Sequence, residues 1–260
     1  AEVETGLSIA KHMGDAVFRQ RYLPRRQLVR AMRGETRMPG GFSDDSFEED
    51  IFAREAVTPG PMAVVYHTMR MISAAIFGDL KTLSHHAALA MSLHVRTPGA
   101  YLVAVTHALH GVALANQART LALEERGPLL QEIDMGSLQW LTLRAADAPV
   151  NFLHLQFWLH AERAWAGGDI PGAMASFDAA MAAAAEVTRP WHRALITERA
   201  GLFHAALGAD QRALSLLTQA CAYYEAWGAA GKVRAMQREH RLTSRSEEHT
   251  SELQSHLMIS

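Results

Sequence analysis

Three glycines in this chain open the same spacing. Gly168 is followed at +5, +9 and +12 by Ala173, Phe177 and Ala180, and Gly208 is followed at the same offsets by Ala213, Leu217 and Ala220. Gly78 opens a weaker copy with Leu83, Ala87 and Ala90. Steps of three to five residues put such positions on one face of a helix, and glycine is the residue that ends the helix before it. Glu162-Arg163-Ala164 and Glu198-Arg199-Ala200 recur 36 residues apart, whereas the glycines that follow them recur 40 apart. The difference is about one helical turn, which preserves the buried face.

A period in the thirties to forties, with a glycine between two helices, is how stacked helix pairs read. The chain is therefore expected to be all-α, a tetratricopeptide-like antiparallel helix-pair solenoid. Alanines at +5 and +12 let two helices approach closely, and the larger residue at +9 fills the space between neighbouring pairs. An alanine-rich bundle without true repeats is the alternative.

Helix starts are marked by Asp169 before Pro171, by Asp147-Ala148-Pro149 and by Thr188-Arg189-Pro190, since proline is tolerated in a first turn. Helices are expected at 63–77, 80–95, 100–125, 137–146, 150–167, 169–187, 189–207, 209–227 and 230–240. Residues 6–33 read as one or two more. Residues 34–61 hold most of the Gly and Pro breakers and read as a connection. The expected organisation is an N-terminal helical segment at 1–33, that connection, a repeat domain at 62–242 and a tail at 243–260.

Composition narrows the function classes. The 260 residues carry a formal net charge of −2, without the basic excess of a dedicated nucleic-acid or membrane-surface binder. The single cysteine, Cys221, forms no internal disulfide and reads as a buried small residue. No apolar run reaches a membrane span and no signal peptide is visible, so a cytoplasmic location is expected. The first residue is alanine, as in a piece of a longer protein. At the other end RSEEHTSELQS, residues 245–255, resembles one reading frame of a common short-read sequencing adapter. As biology it reads as a disordered tail.

Three stretches, AERAWAGGDIPGAM at 161–174, RPWHRALITERAGLFHAALG at 189–208 and AYYEAWGAAGKVRAM at 222–236, resemble the helical repeat region of large bacterial signalling proteins. The resemblance covers most of residues 1–242. In that family a serine/threonine-kinase-like domain and a P-loop ATPase domain precede the repeats, and GAF and sensor histidine kinase domains often follow. The chain contains no phosphate loop, no kinase Gly-rich loop and no histidine kinase nucleotide motif, so none of the family's chemistry carries over.

Candidate contact residues remain. Arg19, Arg21, Arg25, Arg26, Arg30, Arg33 and Arg37 cluster around Tyr22, followed by Asp44, Asp45, Glu48, Glu49 and Asp50. The two groups pair or are solvated, contact a neighbouring domain, or meet phosphate. Arg25, Arg26 and Arg30 are the contact candidates. Trp158, Trp165 and Trp191, with Trp227, Tyr223 and Tyr224, belong either to the core or to a peptide groove. Glu162-Arg163 and Glu198-Arg199 are structural ion pairs or groove-lining charges. His107 and His110 lie three apart on one helix, with His85, His86, His154 and His160 elsewhere, but without H-E-x-x-H or a converging carboxylate they do not read as a zinc site.

The sequence thus implies a non-catalytic, cofactor-free scaffold or sensory relay within a larger ATPase/kinase protein, with flanking domains or protein segments as partners and neither nucleic acid nor membrane. The alternative is a small-molecule-sensing helical domain of an ATPase-type transcription activator.

Overall fold

The computed structural model describes residues 2–56, 61–93 and 99–240. They form α1 (Glu2–Met13), α2 (Ala16–Arg33), α3 (Glu49–Ala56), α4 (Pro61–Phe77), α5 (Leu80–Leu93), α6 (Tyr101–Arg119), α7 (Gly127–Glu132), α8 (Gln139–Asp147), α9 (Pro149–Gly167), α10 (Ile170–Ala185), α11 (Pro190–Ala206), α12 (Asp210–Trp227) and α13 (Ala230–His240). The protein is all-α, and among the described residues extended pairing is limited to one isolated bridge between Asp44 and Phe47. The expected end of the helix at 94–95, part of the 34–61 connection and the tail at 243–260 lie outside the described residues.

The repeated spacing does what the pattern requires. Gly78, Gly168 and Gly208 all adopt left-handed backbone, with φ of 74°, 80° and 72°, a conformation that costs other residues a Cβ clash. The residues at +5, +9 and +12 are buried in all three copies. Each glycine turns the chain back, so that α4 packs along α5, α9 along α10 and α11 along α12. Asp169 caps α10 by accepting from the Gly172 N–H at 2.9 Å. The other two expected starts lack a side-chain cap: Ala148 precedes α9 and Arg189 precedes α11.

Burial separates two kinds of helix. α5, α10 and α12 bury one face, whereas α6 and α11 are buried on nearly every face. The two most buried helices are covered by their neighbours, α6 by α9 and α5, and α11 by α12 and α10. At the end of this succession α13 packs on α12 and also returns to α2 and α4. Gly231 makes that closure possible, since a Cβ there would lie 2.5 Å from the Gly34 backbone nitrogen. Arg234 donates to the Arg33 carbonyl at 3.0 Å across the same contact.

Three expectations are corrected. The 34–61 segment is not a boundary: Phe42 and Phe47 are buried in the same core as Met32, Met69 and Ile76, and the Gly40 carbonyl accepts from Arg70 and Ser73, each at 2.7 Å. Among its described residues Pro39 and Gly40 form a tight turn, closed by the Gly41 N–H donating to the Met38 carbonyl at 3.0 Å, and it includes α3. Further on, the helix expected at 137–146 begins at Gly127 and runs through a π-helical turn, Ile133–Leu138. Pro128 and Gly136 obscure this start in the sequence. The helix expected at 100–125 ends at Arg119 and is followed by a short 3-10 turn at Leu123–Glu125.

Candidate functional site

Two features stand out inside this frame, a buried ionic ladder and a pocket. The ladder arises from the repeated Glu-Arg pairs. Glu162 on α9, wholly buried, lies 2.6 Å from Arg199 on α11 and 3.0 Å from Arg119 on α6. Trp158 Nε1 also donates to it at 3.2 Å. One repeat later Glu198 lies 2.5 Å from Lys232 on α13 and accepts from the Tyr224 hydroxyl at 2.8 Å. Burial pushes the Glu162 pKa up, but Arg199 and Arg119 outweigh it and hold the carboxyl below its ordinary range. Each repeated glutamate therefore ties its own helix pair to the next. Arg163 points elsewhere, to Asp134 at 2.8 Å.

The expected contact tryptophans divide. Trp158 is 1% exposed and belongs to the core, which corrects its assignment as a contact residue. Trp165 is half-buried under the Arg119 guanidinium, 3.9 Å above its ring, and meets Phe203 edge-on. Trp191 packs edge-on against His192 at 3.9 Å.

Among the arginines, Arg30 lies 2.7 Å from Asp44 and 3.3 Å from Glu35, and Arg37 lies 2.6 Å from Glu48. Arg25 donates to the Arg21 carbonyl and sits over Tyr22, while Arg26 donates to Gln27. The acidic segment thus folds back onto part of the basic one, and no single charged surface gathers all three candidates.

The histidines gather in pairs. His67 and His86 are 2.9 Å apart, and His154 and His192 are 2.7 Å apart. Burial lowers all four: His67 and His154 to about 4, His86 to about 3, His192 well below the ordinary value. They are neutral hydrogen-bonding pairs at physiological pH. His107 stacks on Trp140 at 4.4 Å. Among the described residues no group of three or more His, Cys, Asp or Glu is arranged to hold a metal ion. No described helix is long and apolar enough to cross a membrane.

The pocket lies where the first turns of α6 and α9 meet the residue before α11. It holds about 440 Å³ and is lined by Tyr101 and its neighbours, by Trp140 and Arg144 of α8, by Asn151 and Phe152, and by Arg189. Tyr101 stacks within 23° of the Phe152 plane, and Trp140 stands at 87° to Phe152. The Arg189 guanidinium rests 3.7 Å over the Tyr101 ring, and Arg144 approaches the Trp140 ring at 5.8 Å. Behind this wall, Tyr101 Oη lies 3.4 Å from His154 Nε2. Burial pushes the Tyr101 phenol up to about 12 against the opposing pull of Arg189, so it is a neutral donor.

None of these lining residues was among the sequence candidates. They come from the start of α6, from the consecutive helices α8 and α9, and from the residue before α11, and only Arg189 left a mark. An arginine just before a helix start faces the positive end of the helix dipole, against the usual preference for an acidic or hydroxyl cap. Compared with protein-family models, curated proteins and solved structures, the chain matches none.

Proposed function

We propose that this chain is a helical-repeat regulatory module that senses a small ligand and relays its occupancy, without catalysis of its own. The observation that carries the reading is the aromatic and arginine-lined pocket at the junction of α6, α8, α9 and the α11 start. Its volume falls in the range of small-molecule sites, about 300–1,000 Å³. α6, α9 and α11 begin at it, and the Glu162 and Glu198 ladder continues from them to α13, which contacts α2. A ligand that shifts the α11 start relative to α9 acts on that ladder directly.

The helix hairpins, their repeated glycines and their inter-pair ion pairs support a tetratricopeptide-like solenoid, wound tightly enough for the inner helices to be covered. An open peptide groove, which a scaffold would offer, is disfavoured by burial of α6, α11 and Trp158. The resemblance to signalling ATPases supports reading such a module as part of a larger bacterial protein, with the neighbouring domains as its proposed partners. Thermal denaturation across a panel of small organic metabolites tests the reading. A sensor gains melting temperature with ligand concentration, whereas a scaffold responds to protein partners alone.

A further inference from the structure

We infer that the pocket takes a planar organic anion, an aromatic or heteroaromatic ring bearing a carboxylate. This rests on the ligand-sensing reading and adds the chemical class. Three independent features of the lining converge on it.

The first is charge. Arg144 and Arg189 both line the cavity. The acid recorded beside them is Asp147, paired with Arg144 at 3.2 Å on the exposed side. Arg189 has no ion pair among the described residues and instead lies flat over Tyr101. A guanidinium presents a planar fork of donors that matches a carboxylate in two parallel hydrogen bonds. Asp147 is too exposed to compete strongly with a carboxylate bound inside the cavity.

The second is the direction of the helices. α6, α9 and α11 all start at this cavity, and none has an acidic first-turn residue or a side-chain cap. Their positive ends add to the Arg189 guanidinium in one place, offset in part by the C-terminal end of α8 and Asp147 beside Arg144, and a bound anion would relieve the remainder. Elsewhere the fold does use such a cap, as Asp15 caps α2 and Asp169 caps α10.

The third is shape. Tyr101, Phe152 and Trp140 give two nearly parallel rings and one perpendicular ring, walls that favour a flat, polarizable ligand over a bare phosphate. Asn151 supplies a polar group at the rim. The buried neutral pair His154 and His192 behind Tyr101 adds no positive charge at neutral pH, so the anion is held by the arginines.

Indole-3-acetate, its neutral analogue indole-3-acetamide and inorganic phosphate are titrated into the full chain, following heat of binding. The acid is expected to bind saturably, with the amide and phosphate weaker by about tenfold or more. Arg189→Gln and Arg144→Gln each reduce acid affinity by a similar factor, with helical circular dichroism unchanged. Arg144 is largely exposed, so Arg144→Gln keeps the test decisive if Arg189→Gln fails to fold. Equal affinity for acid and amide overturns the anionic class while leaving ligand sensing in place. A preference for phosphate overturns the aromatic part. Failure of all three probes overturns the class, and the metabolite panel then decides separately whether the module senses any ligand.

Discussion

The buried carboxylate of Glu162 lies 2.6 Å from the guanidinium of Arg199, one helix pair further along the chain. Its counterpart Glu198 makes the same forward contact with Lys232 at 2.5 Å. Two copies of one sequence element thus make two copies of one inter-helix link.

Arg199→Ala is expected to destabilise the fold by about 3–5 kcal/mol, because it leaves Glu162 buried with only Arg119 and Trp158 as partners. Replacing Glu162, Arg119 and Arg199 together with apolar residues is expected to cost less than Arg199→Ala alone, since no uncompensated charge then stays buried. Urea unfolding of the variants measures both. A cost under about 1 kcal/mol for Arg199→Ala contradicts the ladder as an internal link.

Acid should unfold the chain in two stages with different chemistry. The four paired histidines have folded pKa values below the unfolded value of about 6.5. Between those values the unfolded chain binds protons that the folded chain refuses, so stability is complete above about pH 6.5 and falls as pH drops below it. The loss is on the order of 1 kcal/mol per histidine per pH unit. Glu162 acts later: its depressed pKa contributes stability above the unfolded glutamate value of about 4.3, lost as pH falls through the folded pKa. Melting temperature that stays constant between pH 7 and pH 5 contradicts the burial of these pairs.

The left-handed glycines are separable from glycines with ordinary backbone. Gly208 has φ of 72° and open space around an added Cβ, so Gly208→Ala is expected to cost about 1–2 kcal/mol from backbone strain alone. Gly127 also has open space but no positive φ, and Gly127→Ala is expected to be neutral or mildly stabilising. Thermal melts of the two variants give the comparison, and equal effects would contradict the role of Gly208 as a helix terminator.

Phe42 and Phe47 are expected to behave as core and to anchor residues 34–48. Phe42→Ala should destabilise by about 3–5 kcal/mol, because its ring is fully buried under the Arg70 guanidinium, 4.8 Å from the ring centre. Limited proteolysis of the native chain should leave this segment uncut. Rapid cleavage near Gly40 would restore the linker reading.

What the sequence made legible follows from local physics. Ala173, Phe177 and Ala180 with their copies Ala213, Leu217 and Ala220 are core because helical periodicity and small volume decide burial before any tertiary detail. The turn at Gly168 is likewise local. Phe42 was hidden because a Gly- and Pro-rich segment packs as well as it loops, and only long-range contacts to α4 distinguish the two. The helix from Gly127 was hidden because its π turn shifts the hydrophobic period midway. The pocket was least visible of all: Tyr101, Trp140, Phe152 and Arg189 share no motif and become neighbours only when α6, α8, α9 and α11 are assembled.

Hydrogen exchange, measured with and without a saturating metabolite that raises the melting temperature, tests the ligand-sensing claim most directly. Slower exchange is predicted in the first turns of α6 and α9 and at the start of α11, with a change extending along the Glu162 and Glu198 links to α13. A stabilising compound that protects only other regions, or a panel in which no compound raises the melting temperature, contradicts the account.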